Sequence, residues 1–472
     1  MSAASDPARD SSPDAAVPSG SRAPTLSSRR LLGHVHEMAV QPLELFLRAR
    51  RECGDVARLR FGPFHAYCFF HPRHVQHVLV GNAANYEKQT RGYRILRVIL
   101  GNGLVTSEGA FWKRQRRIAQ PAFHDRRIHD LTGVMLARAA EHADRWERIA
   151  GTGERVDVAA EMSGLTLRIA CEALFGHESA GETEAVGEAI GVAIERFLHL
   201  AAAPIPYPHL WPTPKNLVLR RALGTLDRVV YAIIAERRQK GADRPDLLSL
   251  LMSARDEETG ESMNDRQLRD EVLTMLLAGH ETTANALAWS FHLLSQHPTA
   301  AERLEAELDA RFGAGPITVE GLRATPWVSA VLDEAMRLYP PIWALGRRAV
   351  AEDHVDGNRI HPGQFVFLSA YITHRHPAMW PDGERFDPGR FVDGDPARRA
   401  LDTRGGAYFP FSAGQRKCIG EQFALLEGRI ILATLARRFR PTGIPGHSVE
   451  PEPSVTLRPR GGVPMTIARR AG

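Results

Sequence analysis

Phe411-Ser412-Ala413-Gly414-Gln415-Arg416-Lys417-Cys418-Ile419-Gly420 is the stretch whose reading decides the fold. It sets one cysteine after a glycine-bearing turn and directly before the apolar, helix-like run Phe423, Ala424, Leu425 and Leu426. A thiol at a helix N-terminus meets open backbone N–H groups and the positive end of the helix dipole, and both favour thiolate. A thiolate is a strong axial ligand for haem iron, and its electron donation helps to break an O–O bond. The neighbours suit such a ligand. Gly414 can take the left-handed backbone that a tight turn requires. Gly420 lets a flat macrocycle approach the main chain with no Cβ in its way. Arg416 can reach a haem propionate by a charge-assisted hydrogen bond, and Phe411 can shield the sulfur from water. Without its neighbours, Cys418 would read as a buried structural thiol; the whole pattern is what favours a ligand.

The chain has 472 residues, 43% hydrophobic and 24% charged, the composition of a globular protein that can bury a large core. Its four cysteines, Cys53, Cys68, Cys171 and Cys418, are scattered with no Cys-x-x-Cys pair. That argues against a zinc site, a redox dithiol or a disulfide framework, and for a reducing, cytoplasmic compartment. A formal net charge of +5 over this length is no nucleic-acid signature. Where the charge lies matters more. Lys113, Arg114, Arg116 and Arg117 cluster, and Arg416 and Lys417 flank the cysteine. A basic face for an acidic protein partner competes here with a plain solvated helix. No stretch reaches the roughly eighteen uninterrupted apolar residues of a membrane-spanning helix. Residues 1–28 are rich in Ser, Ala, Pro and Asp, lack the apolar segment of a signal peptide, and read as a disordered tail before a single domain over 29–472.

Along that domain, Pro42 to Glu52 reads as a short amphipathic helix. Val56–Phe61 and Ala66–Phe70 read as strands around the Gly62-Pro63 turn. Val158, Met162, Leu165, Ile169 and Leu174 recur at helical spacing between Asp157 and Phe175, and long helical patterns cover 216–240 and 265–296. The proline-dense 201–214 segment reads as a loop, and 346–370 as a second strand region. The expected class is mainly α with a small β portion. No Gly-rich phosphate loop follows a strand, so no fused nicotinamide or flavin reductase is apparent and electrons must come from a separate protein.

Three further patterns carry chemistry. Ala278-Gly279-His280-Glu281-Thr282-Thr283 lies inside the 265–296 helix. Glycine and two threonines are poor helix interior residues, and a Thr hydroxyl bonded to the carbonyl four residues back can bend or widen the turn. That would make room for a small ligand, with Glu281 and Thr282 as acid and hydroxyl for proton relay; the plainer reading is a small-residue packing face with one exposed glutamate. Trp112 and Arg116 share one helical face, where an indole N–H and a guanidinium suit a carboxylate, or simply form part of a basic surface helix. Glu334 and Arg337, spaced i,i+3, read alone as a common surface ion pair.

Together these patterns resemble the cytochrome P-450 family, over roughly residues 30 to 465. Phe-Ser-x-Gly-x-Arg-x-Cys-x-Gly matches the family's cysteine-ligand signature position by position. The 278–283 motif, the Trp112-x-x-x-Arg116 pair and Glu334-x-x-Arg337 match its other motifs in the right order. The resemblance implies the P-450 fold and a haem-thiolate monooxygenase. Haem b (iron protoporphyrin IX) would be ligated by Cys418 and held by Trp112, Arg116, Phe411, Gly414, Arg416 and Gly420. Glu281 and Thr282 would deliver protons to O2. Arg348 resembles an additional propionate arginine, a place Arg347 could also take. In the family, Glu-x-x-Arg joins an arginine from a Pro-x-Arg-Phe segment in a buried charge network, so Arg390 in Pro388-Gly389-Arg390-Phe391 completes it, with glycine where glutamate is more usual. A soluble, bacterial form is implied, served by a ferredoxin or flavodoxin-type donor on the basic proximal face. By analogy, Leu96, Ile99, Leu100, Leu277, Ala278 and Ile342 line an apolar pocket for a lipophilic substrate, a terpenoid before a fatty acid. The rival functions are non-oxygenating chemistry in the same family and a non-catalytic, gas-sensing haem protein.

Overall fold

Asn264 opens the helix around which the molecule is built. Its side chain accepts from the Gln267 N–H at 3.0 Å, while the Gln267 side chain accepts from the Asn264 N–H at 2.9 Å. This reciprocal cap satisfies two of the N–H groups that a helix start leaves open. The helix then runs unbroken over Asp265–Gln296, buried on nearly every side. It packs most extensively on Val158–Phe175, which Asp157 caps by accepting from the Ala159 N–H at 3.0 Å. Pro214–Lys240, Pro326–Leu338 and Glu421–Arg438 also pack against it. Leu276, Leu165, Met162, Phe291, Ile430 and Leu435 belong to the one large core between these helices. The computed structural model describes residues 23–176, 180–202, 208–240, 246–392 and 406–470.

The β portion is a five-stranded sheet to one side. Phe64–Phe69 pairs antiparallel with Val56–Phe61 and parallel with Phe365–Leu368, which pairs antiparallel with Leu345–Ala349; Tyr86–Glu87 forms the far edge. Its inner face makes a second core of Tyr67, Phe69, Val366, Leu368 and Leu345. A three-stranded sheet joins Phe439–Gly443, Arg155–Asp157 and Pro464–Arg469. The architecture is the expected one, mainly helical with small sheets.

Three boundaries differ from the sequence reading. Ala23 and Leu26 are buried, and Thr25 bridges Arg58, so residues 23–28 are an ordered strand-edge segment rather than tail; residues 1–22 lie outside the described residues. The second strand begins at Phe64, because the tight turn brings the Phe61–Phe64 pair into register. Pro214 belongs to the helix that follows it, since proline is well tolerated in a first helical turn, and 208–210 form a short 3-10 turn.

Candidate active site

The 411–420 loop folds back on itself: the Cys418 N–H donates to the Phe411 carbonyl at 2.9 Å. Gly414 has φ of +67°, and a Cβ there would sit 2.0 Å from the Leu79 carbonyl oxygen, so the turn needs glycine twice over, for conformation and for space. The Phe411 ring packs on Ala286, Leu332, Met336 and Leu425. Gly420 is the N-cap of Glu421–Arg438. The Cys418 thiol is exposed yet set deep enough in protein that desolvation pushes its pKa up, with the Gly420 backbone N–H pulling it back. The Gly420 N–H acts in the direction expected of a helix start, and a coordinating metal ion would deprotonate the thiol outright.

Cations gather beside this loop. Arg116 donates to the Lys417 carbonyl at 3.0 Å. Arg416 lies 3.7 Å over the Trp112 ring, donates to the Ser107 carbonyl at 3.0 Å, and pairs with Glu108. Lys88 is the member that the sequence did not single out. Burial, together with the charges of Arg347 and Arg416, pushes its ammonium well below the ordinary lysine value, with Glu108 pulling the other way. Arg116, Arg347 and Arg416 thus lie near enough to Lys88 to disfavour its charge, with Glu108 as the counter-charge among the groups acting on it. A cluster of this sign fits the two carboxylates of a haem, and Cys418 fits its iron.

Arg348 is not part of the cluster. Its guanidinium turns away to Glu87, whereas Arg347, 3% exposed, points inward and donates to the Gly346 carbonyl at 2.9 Å. Alternation along the strand decides this: adjacent residues face opposite sides of a sheet, and Leu345, Arg347 and Ala349 are the buried set. Of the two candidates, Arg347 is the one on the side of Lys88 and Arg416.

The 278–283 motif stays α-helical, so the expected widened turn does not form. The hydroxyls nevertheless bond back as the spacing predicts: Thr282 to the Ala278 carbonyl at 2.7 Å and Thr283 to the Gly279 carbonyl at 3.2 Å. Thr166, from the neighbouring helix, reaches the His280 carbonyl at 3.0 Å. Glu281 is buried rather than exposed. Its Oε1 accepts from the Thr456 hydroxyl at 2.9 Å, Thr456 in turn accepts from Asn285 at 3.0 Å, and Oε2 has no protein partner. Burial pushes the Glu281 carboxyl up to about 7, against the pull of Thr456. A group poised there can both give and take a proton at neutral pH. Thr456 was not legible beforehand, because a partner 175 residues away leaves no local pattern.

The charge network assembles behind the cysteine loop. Arg337 meets both oxygens of Glu334 at 2.6 and 2.8 Å, and Arg390 lies 3.6 Å from Glu334. The Asp387 N–H also donates to Glu334, and Arg337 donates to the carbonyls of His374, Gly383 and Arg385. Both members of the central pair are 0% exposed, so this is no surface pair.

The pocket residues divide. Ala278 is exposed in the middle of a buried helix, and Ile342 is half-buried at the approach to the sheet. Ile99 and Leu100, at 2% exposure each, are packed in the main core with Leu96 and Leu277, so these four position helices rather than offer an open wall. The helix Arg91–Leu100 is held by the long helix: the Asn102 N–H donates to Asp270 at 2.8 Å and the Leu104 N–H to Glu271 at 3.0 Å. On the basic face, Arg117 pairs with Asp256 and Glu258, and Arg114 with Glu261, so these arginines do not stand free in solvent as expected; Lys113 is exposed.

Comparison with known proteins agrees with this geometry. The family model described as Cytochrome P450 matches residues 24–463. Cyclooctatin synthase of Streptomyces melanosporofaciens is 36% identical over 90% of this chain and 91% of its own length. Cyclooctat-9-en-7-ol 5-monooxygenase of the same organism is 37% identical over 88% of each chain. Pentalenene oxygenase of Streptomyces avermitilis is 33% identical over 90% of this chain and 93% of its own. Among the described residues no helix is long and apolar enough to cross a membrane. The chain belongs to the cytochrome P450 family and is a haem-thiolate monooxygenase that uses O2 and electrons from a redox partner.

Proposed function

We propose that this monooxygenase hydroxylates a cyclic terpenoid, in the cytoplasm, with haem b as its cofactor. What supports this reading is a set of relatives that includes proteins named for terpenoid oxidation, together with Ala278, exposed in an otherwise buried helix beside Glu281 and Thr282. Cys418 would ligate the iron, with Phe411 covering the sulfur and Gly414 and Gly420 shaping the loop. Lys88, Arg116, Arg347 and Arg416 would meet the propionates, and Trp112 would hold Arg416 in place by stacking. Bound haem supplies the reductive activation of O2 and the insertion of one oxygen atom into a C–H bond.

The protein's own contribution is positioning and proton supply. Thr282 Oγ1 gives its hydrogen to the Ala278 carbonyl, which leaves its lone pairs to receive a hydrogen bond from the cleft. Glu281 holds a proton near neutral pH and is oriented by the Thr456 hydroxyl. Glu334, Arg337 and Arg390 fix the segment that supports the cysteine loop. An acidic ferredoxin or flavodoxin would dock on the side of Lys113 and Lys417, where Lys417 directly precedes Cys418 and its carbonyl is held by Arg116. Titrating the haem-loaded protein with cyclic diterpene and sesquiterpene alcohols and hydrocarbons, and with fatty acids, tests the substrate class. A low-to-high spin shift and a hydroxylated product with the terpenoids are expected; turnover of fatty acids alone would overturn the assignment.

A further inference from the structure

The turn at 255–262 lies against the helix that carries Trp112 and Arg116, and it is folded on its own terms. Arg255 and Ser262 form an antiparallel bridge. The Asp256 N–H donates to the Glu261 carbonyl at 2.8 Å, the Gly260 N–H to the Asp256 carbonyl at 2.8 Å, and the Thr259 hydroxyl to Asp256 Oδ2 at 2.9 Å. Three carboxylates reach from it to the helix. Asp256, with a fully buried side chain, takes Arg117 at 2.9 and 3.2 Å and anchors the turn. Glu258 takes Arg117 at 2.8 Å, and Glu261 takes Arg114. These last two carboxylates are 68% and 61% exposed, so each pair is open to water and to competing charge.

Arg114 and Arg117 sit on the same short helix as Arg116, which touches the residue before Cys418. An acidic protein approaching that face would present carboxylates to the same guanidiniums. Resting on the reading of an acidic electron donor above, we infer that the 256–261 turn is a built-in competitor of that donor. Glu258 and Glu261 occupy Arg117 and Arg114 as the donor's own carboxylates would, and the donor displaces them when it docks. Exposed ion pairs are individually weak and are screened by salt, so they lower affinity without closing the face. A monooxygenase that draws two electrons from a one-electron carrier needs two successive encounters, and such competition shortens each of them by raising the dissociation rate.

The test is calorimetric titration of the haem-loaded protein with an acidic plant-type [2Fe–2S] ferredoxin at low and high ionic strength. Glu258→Gln with Glu261→Gln keeps Asp256 and the turn. It is expected to bind about three- to tenfold more tightly at low salt, an advantage that shrinks at high salt. Arg114→Gln is expected to change binding by less than about twofold in the native chain and to weaken it by about threefold or more in the double variant. Native affinity in the double variant, with Arg114→Gln having equal effect in both backgrounds, overturns the competitor. That result differs from a failure of the docking reading itself, in which Lys113→Gln and Lys417→Gln would also leave ferredoxin binding unchanged.

Discussion

Two buried glutamates show how the same environment is used in opposite ways. Glu334, behind the cysteine loop, has both oxygens bound by Arg337, Arg390 close by and a backbone N–H as well. Burial pushes its carboxyl up and the two guanidiniums pull it back. Glu281, in the long helix, has one hydroxyl on Oε1 and no protein partner on Oε2, and burial pushes it up to about 7. A paired buried charge fixes geometry, and removing one partner is costly. A lone buried carboxyl fixes nothing but changes its proton near neutral pH. The proposed ligand loop is backed by a glutamate of the first kind, and the proposed proton relay uses one of the second.

The comparison is broken most forcefully at Glu334. Glu334→Ala leaves Arg337 buried without its partner and is expected to cost about 3–5 kcal/mol, read as a lower unfolding temperature and haem loss. Glu281→Gln, also buried, is expected to cost under about 1 kcal/mol, because an amide replaces a carboxyl whose proton affinity burial has already raised toward neutrality. Similar losses at the two positions would end the contrast.

On the proton side, Thr282→Ala and Glu281→Gln are each expected to lower product formed per electron pair by about tenfold to a hundredfold, with hydrogen peroxide replacing product while O2 uptake continues. Glu281→Gln should also remove an ionisation near pH 7 from the pH profile of turnover. Unchanged coupling in both variants would strip the two residues of that role.

Arginine register gives a smaller effect. Arg347→Ala is expected to weaken haem retention by about tenfold, measured by transfer to apomyoglobin, through loss of a charge-assisted contact. Arg348→Ala, which removes only a partly exposed pair with Glu87, should change it by less than about twofold. The reverse order would restore Arg348 to the site.

The smallest effect is on stability against pH. Burial pushes Glu271 up to about 8, Glu281 to about 7 and Glu427 to about 8. Glu427 faces the Thr283 hydroxyl, whose hydrogen goes to the Gly279 carbonyl, so neither of its oxygens receives a full hydrogen bond. Raised carboxyl values contribute stability that is complete below the ordinary carboxylate range and is lost as pH rises through about 8. The unfolding temperature should therefore fall by a few degrees between pH 6 and pH 9, and Glu427→Gln should fall less.

What was legible in the sequence was local. The cysteine loop, the threonine back-bonds and the Glu334–Arg337 pair involve residues within ten of one another, so their spacing exposes them, and helical periodicity placed the helices Val158–Phe175, Pro214–Lys240 and Asp265–Gln296 to within a turn. Arg347 against Arg348 was not legible, because one residue of register exchanges the faces of a strand. Lys88, Thr166, Thr456 and the 256–261 turn were missed for a different reason: each meets the site through a contact distant in the chain, and no spacing encodes it.

The most direct measurement is the carbon monoxide difference spectrum of the dithionite-reduced protein, native and Cys418→Ser. A strongly red-shifted Soret band in the native protein, lost in a folded Cys418→Ser variant, is the expected result. A band at the position of histidine-ligated haem, or one that survives the substitution, would contradict ligation by Cys418.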